Sequence, residues 1–139
     1  MLGRRPRGPS GALCAVVLVL AGCGGGGGGE TGTPTPSPAG GPVARGEALY
    51  ASKGCKSCHS LDGSAGVGPT WKGLAGSRVK LADGKTVSAD DRYLLRAIED
   101  PNKQIVAGYK PGVMTATIPP GSISPADAKD LVAYIKSLK

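Results

Sequence analysis

Five consecutive residues hold most of the chemistry in this chain: Cys55, Lys56, Ser57, Cys58 and His59. Two thiols two residues apart can form thioethers with the two vinyl groups on one edge of a haem. An imidazole directly after them is then carried under the iron as an axial nitrogen. The same Cys-x-x-Cys spacing serves other chemistries. A thioredoxin-like dithiol belongs in a βαβ context, and no such pattern is visible here. A zinc site wants four ligands, yet His59 is the only His and the remaining cysteines, Cys14 and Cys23, lie near the start of the chain. A structural disulfide is open to an exported protein, but the directly following His59 argues against it.

A six-coordinate haem iron needs a second donor. With no other His, the candidate is Met114, since the only other methionine is Met1. A neutral thioether favours ferrous iron and raises the reduction potential. Core filling is the ordinary use of an isolated Met, and a Lys or a vacant position is the other alternative for the iron.

The bulk composition agrees with a bound macrocycle. Apolar residues make up 40% of the 139 residues, aromatics only 4%, and Phe is absent. The length allows one ordinary domain, and a flat apolar cofactor would fill a core that large side chains leave short. The formal charge is +7, from 17 basic and 10 acidic residues. Arg4, Arg5 and Arg7 fall in a segment expected to be removed, so the mature balance is milder. A mild positive balance suits docking on acidic partners. With no long Lys/Arg run and no basic–aromatic interleaving, nucleic acid is not an expected partner.

The N-terminus reads as an address. A basic start, Met1 to Pro9, precedes an apolar core from Gly11 to Ala21 that is too short to span a bilayer. Leu20-Ala21-Gly22-Cys23 resembles a bacterial lipobox, which predicts cleavage before Cys23 and lipidation of its thiol. An ordinary secretory signal with an incidental Cys would export the chain equally well. Each buried CH₂ of an acyl chain contributes about 0.8 kcal/mol, and two chains normally suffice for stable anchoring. Gly24 to Gly29 is unbroken glycine, and Pro34, Pro36, Pro38 and Pro42 punctuate the next stretch. Neither run has an apolar face to offset its ordering entropy. The expected organisation is therefore a lipoprotein signal at 1–22, a lipidated Cys and tether at 23–42, and one domain at 43–139.

The elements that must position the motif are mostly helical. Val43–Ser52 carries Ala44, Ala48 and Leu49 at helical spacing. Leu61–Gly76 is a glycine-broken loop, and Val79–Ala82 and Lys85–Val87 flank an Asp83-Gly84 hairpin signal. Ser88 is placed to cap a helix that runs to Asp100 and stops at Pro101, with Tyr93, Leu94, Ala97 and Ile98 on one face. Asn102–Pro120 reads as irregular and contains Met114. Ser124 and Pro125 open the last helix, whose stripe is Leu131, Tyr134, Ile135 and Leu138. The expected fold is mostly α: about three main helices and a short β-hairpin around one covalent haem.

These strings resemble class I cytochromes c in content and order: Gly46-x-x-x-Tyr50, Cys55-x-x-Cys58-His59, Val67 to Leu74, Gly108-Tyr109, Met114 and Leu131-x-x-Tyr134. Lys85-Thr86-Val87, Asp91 to Leu95 and Asp100-Pro101 resemble in particular the haem domain fused to subunit II of caa3-type cytochrome oxidases. The resemblance implies a class I cytochrome c fold and one covalent haem c on Cys55 and Cys58, with His59 and Met114 as axial ligands. It implies that the Pro69 carbonyl accepts a hydrogen bond from His59, and that Gly46 and Tyr50 meet Leu131 and Tyr134 where the first and last helices cross. Trp71 and Tyr109 would line the haem pocket, although core filling accounts for Trp71 equally well. Two departures stand out: the chain lacks a cupredoxin domain, and Thr115 follows Met114 where many relatives have Pro.

The expected function is single-electron transfer in an extracytoplasmic respiratory chain, periplasmic or at the cell surface, with no small-molecule substrate. Redox proteins such as a membrane oxidase or reductase are the expected partners, and the domain is compatible with being a fixed part of such a complex. A peroxidase-like enzyme would need an open iron and distal acid–base groups, and a gas sensor would need Met114 to dissociate. Lys53, Lys56 and Lys72 are candidates for a docking ring, with an ordinary solvated surface as the alternative.

Overall fold

The computed structural model describes residues 40–139. The expected signal, the lipidated Cys23 and nearly all of the tether lie outside the described residues. Among the described residues, four α-helices and one two-stranded antiparallel sheet form the domain. Among the described residues no helix is long and apolar enough to cross a membrane.

Helix α1, Pro42–Ser52, opens with proline in its first turn, where the missing N–H costs nothing. It begins one residue before the expected boundary. Its chief partner is α4, Pro125–Ser137. The crossing depends on Gly46, which is buried: a Cβ there would stand 2.6 Å from Tyr134 Cβ and would also strike the Asp130 carbonyl. Beside it the Arg45 guanidinium forks onto Asp130, with nitrogen–oxygen distances of 2.7 and 2.9 Å. Tyr50 and Tyr134 complete the contact, ring centroids 5.7 Å apart.

The hairpin pairs β1, Arg78–Lys80, with β2, Thr86–Ser88, in the register Arg78↔Ser88, Val79↔Val87, Lys80↔Thr86. Against the expected strands, β1 starts one residue earlier and ends two residues earlier, and β2 lies one residue later. Leu81 keeps its N–H on the Lys85 carbonyl at 2.8 Å and also bridges Val106, so the hairpin holds the segment that leads to Met114.

Helix α2, Asp91–Glu99, is capped by Asp90 and not by Ser88: the Asp90 carboxylate accepts the Tyr93 N–H at 2.8 Å. Ser88 is the last residue of β2, so its backbone belongs to the ladder. Helix α3, Val113–Thr117, replaces part of the expected irregular stretch and raises the helix count to four. Its five residues are too few to show a helical period in sequence. At α4 the expected cap is present, Ser124 Oγ accepting the Asp127 N–H at 3.1 Å.

The core lies between α2, α4 and the hairpin. Leu94, Leu131 and Ile135 are its most completely buried large side chains, with Tyr93, Ile98, Val79, Leu81 and Trp71 around them. Each buried aliphatic side chain contributes about 1.5–3 kcal/mol relative to exposure.

Candidate haem-binding site

The site grows from the end of α1. After Lys53 the chain turns through Gly54, at φ +80°, into a single 3₁₀ turn, Cys55–Ser57. The Cys58 and His59 N–H groups both donate to the Cys55 carbonyl, at 3.2 and 3.0 Å. This winding buries Cys55 and leaves Cys58 half-buried, with neither thiol in a disulfide. Burial also pushes the Cys55 thiol pKa up, so the group stays protonated in its free form.

A second segment runs beside the first. Gly68 N–H donates to Cys58 O and Trp71 N–H to Ser60 O, both at 2.9 Å. Between these two ties lies Pro69, whose carbonyl accepts the His59 Nδ1–H at 2.7 Å. That bond leaves Nε2 as the ring nitrogen with a free lone pair. Burial pushes the imidazole pKa below its ordinary value, and the Pro69 bond only partly opposes this, so the ring is neutral at pH 7. Trp71 stacks on the same ring, centroids 5.2 Å apart. Tyr50 donates its hydroxyl to the His59 carbonyl at 2.7 Å, which ties α1 to the motif it precedes.

Cys58, His59, Pro69, Trp71, Tyr109 and Met114 all line one cavity of about 490 Å³. This volume falls within the range of cofactor pockets. Leu74, Val79, Leu94, Ile98, Val106 and Ile135 supply apolar wall. Cys55 lies in the core and does not line the cavity, and Cys23 lies outside the described residues. The donor set is one neutral imidazole, one thioether and a thiol, in an apolar enclosure. These groups fit a haem. They do not fit zinc: among the described residues no three His, Cys, Asp or Glu side chains cluster for a metal.

A family model described as cytochrome c matches residues 43–139. This chain belongs to the cytochrome c family. Cytochrome c2 iso-1 of Magnetospirillum molischianum is 35% identical over 97 residues, covering 61% of this chain and 90% of the relative. Cytochrome c of Sesamum indicum is 32% identical over 111 residues, 69% of this chain and 89% of the relative. Cytochrome cH from Methylobacterium extorquens matches in three dimensions with a TM-score of 0.51 and 30% identity, over 70% of this chain and 99% of that one. Cytochromes c carry one covalently attached haem c and transfer electrons; they are carriers and not enzymes. The bacterial class I members are typically periplasmic.

Several features of this cytochrome were not legible in the sequence. Gly68 packs against the His59 ring so closely that a Cβ would stand 2.6 Å from Cε1. The Gly68-Pro69 pair was visible, but only the proline carried an implied role. Of the three lysines expected near the haem edge, Lys72 lines the cavity and is exposed, whereas Lys53 and Lys56 do not line it. Arg78, Lys80 and Lys110 join Lys72 instead, and no Asp or Glu lines the cavity. The hairpin and the segment after α2 bring these cations together, across up to 38 residues of sequence, beyond the reach of any local pattern.

Proposed function

We propose that this cytochrome carries single electrons with His59 and Met114 as its two axial ligands and Cys55 and Cys58 as its thioether links. The observation that carries the proposal is that His59 and Met114, the only imidazole and the only internal thioether of the chain, line the same apolar cavity. The haem supplies the one-electron couple, its iron cycling between ferric and ferrous states. The chain's own residues do the rest. Pro69 and Trp71 hold the His59 ring in one orientation, which tunes the donor. The apolar wall excludes water and favours the less charged state of the site.

The address at the N-terminus supports an extracytoplasmic lipoprotein, anchored through Cys23 and tethered by 24–42. The resemblance to the caa3 haem domain supports a terminal oxidase or a reductase as partner. The exposed Lys72 and the other cations lining the cavity support an acidic docking face on that partner.

The test is to record absorption spectra of the haem-loaded protein beside Met114→Ala. The native ferric form is expected to show the weak red charge-transfer band of sulfur–iron ligation, and Met114→Ala to lose it. A native protein without that band, binding carbon monoxide readily when reduced, would overturn the proposal in favour of a sensor or an enzyme.

A further inference from the structure

We infer that Asn102 is a positioning residue for Met114, an inference that rests on the reading of Met114 as an iron ligand. Asn102 lies just beyond Pro101, at the end of α2, whose Tyr93, Leu94 and Ile98 anchor it in the core. Its side chain reaches across ten residues to α3. Asn102 Oδ1 accepts the Gly112 N–H at 2.7 Å, and Nδ2 donates to Thr115 Oγ1 at 3.4 Å. Because a backbone N–H can only donate, the short bond fixes which end of the amide faces Gly112. Thr115 in turn donates to the Gly112 carbonyl at 3.1 Å. One amide therefore spans the first turn of α3, and Met114 lies between the two residues it holds.

The fork is needed because α3 has little else to orient it. The helix has five residues, no side-chain cap from Gly112 itself, and no buried residue. A single turn of this length does not persist alone in water. The chain before it is fixed on the other side: Ala107 N–H donates to Lys80 O at 2.9 Å and Ala82 N–H to Ile105 O at 2.8 Å. Asn102 is the side chain that links the frame of α2 to the turn that carries Met114. The shorter arm carries most of the effect, since bonds weaken at the length of the longer one.

The experiment titrates the ferric haem-loaded protein with imidazole, which competes with a ligand Met for the iron. Native protein, Asn102→Ala and Asn102→Asp are compared, with the red band and haem content read in each. Loss of one exposed hydrogen-bonded tie corresponds to about a three- to ten-fold shift in such an equilibrium. Asn102→Ala is expected to bind imidazole three- to ten-fold more tightly with the haem still attached. Asn102→Asp keeps an oxygen for Gly112 and is expected to stay within about twofold of native. Equal imidazole affinity in native and Asn102→Ala, or equal affinities in the two variants, would overturn the inference. If Asn102→Ala does not accumulate with haem, Asn102→Ser, too short to reach Gly112, is read in its place against the same expectation. A native protein that lacks the red band refutes the ligand reading itself, and that outcome is visible before any variant is titrated.

Discussion

Gly68 is seated against the imidazole of His59: a Cβ on Gly68 would stand 2.6 Å from Cε1 and 2.8 Å from Nδ1. Real Cβ atoms do not approach that closely, so the ring must move if one is added. It has little freedom, because Pro69 holds Nδ1 and Trp71 stacks on its face. Gly68→Ala is expected to weaken the Pro69 bond and misdirect Nε2. Disturbing the partner of a ligating His typically costs about 10–100-fold in metal affinity or activity. A haem-content assay and redox titration check this, and a native-like potential at full haem content would contradict it.

Trp71 is both core and cavity wall, buried yet stacked on His59. Trp71→Ala is expected to cost about 3–5 kcal/mol, the range for emptying a large aromatic site. Trp71→Phe keeps an apolar ring beside the imidazole and is expected to lose much less. Denaturant unfolding gives the cost, and the potential of Trp71→Phe separates packing from tuning. A shifted potential with little lost stability would assign Trp71 to the iron's surroundings.

The crossing of α1 and α4 leaves no room at Gly46, where a Cβ would meet Tyr134 and the Asp130 backbone. Overpacking a tight site costs about 1–3 kcal/mol and occasionally more. Gly46→Ala is expected at or above the top of that range, because one of the struck atoms is backbone and cannot rotate away. Urea unfolding of the haem-loaded protein measures it. A cost below about 1 kcal/mol would mean that the helices separate freely.

Two residues compete for the start of α2, and the structure chooses Asp90. Asp90→Ala is expected to cost about 1 kcal/mol, the usual value of an N-cap. Ser88→Ala, at an exposed position of the hairpin, is expected to change stability by less than about 0.5 kcal/mol. Paired unfolding curves decide between them, and the reverse order would contradict the cap.

Lys72, Arg78, Lys80 and Lys110 line a cavity with no acidic neighbour in its wall. Raising ionic strength from about 0.01 to 0.15 M shortens the Debye length from about 30 to 8 Å. The bimolecular rate with an acidic redox partner is therefore expected to fall at least about tenfold over that range. Lys72→Glu and Lys110→Glu are expected to slow it more than Lys53→Glu, which lies off the cavity. Stopped-flow kinetics at several salt concentrations test both points, and a flat salt response would remove the steering argument.

Much of this protein was legible in the order of its residues. The spacing Cys55-x-x-Cys58-His59 is covalent, so its chemistry could be read from neighbours alone. The caps and proline at Ser124 and Pro125, and the apolar stripe of α4, are local signals of the same kind. The family followed from such strings in order, and the cytochrome c match over 43–139 agrees with it.

The tertiary structure decided what depends on distant residues meeting. Helix α3 has no sequence period because it is one turn long, and the Asn102 side chain that accepts the N–H of its N-cap Gly112 comes from ten residues away. The closeness of Gly68 to His59 arises from two backbone ties between separate loops. The cations lining the cavity converge from a loop, a strand and the segment before α3. Local spacing determines what a residue can do chemically, because bond lengths and backbone geometry are shared by all chains. Which groups face one another is set by the packing of the whole, since the hydrophobic driving force has no direction and leaves placement to shape.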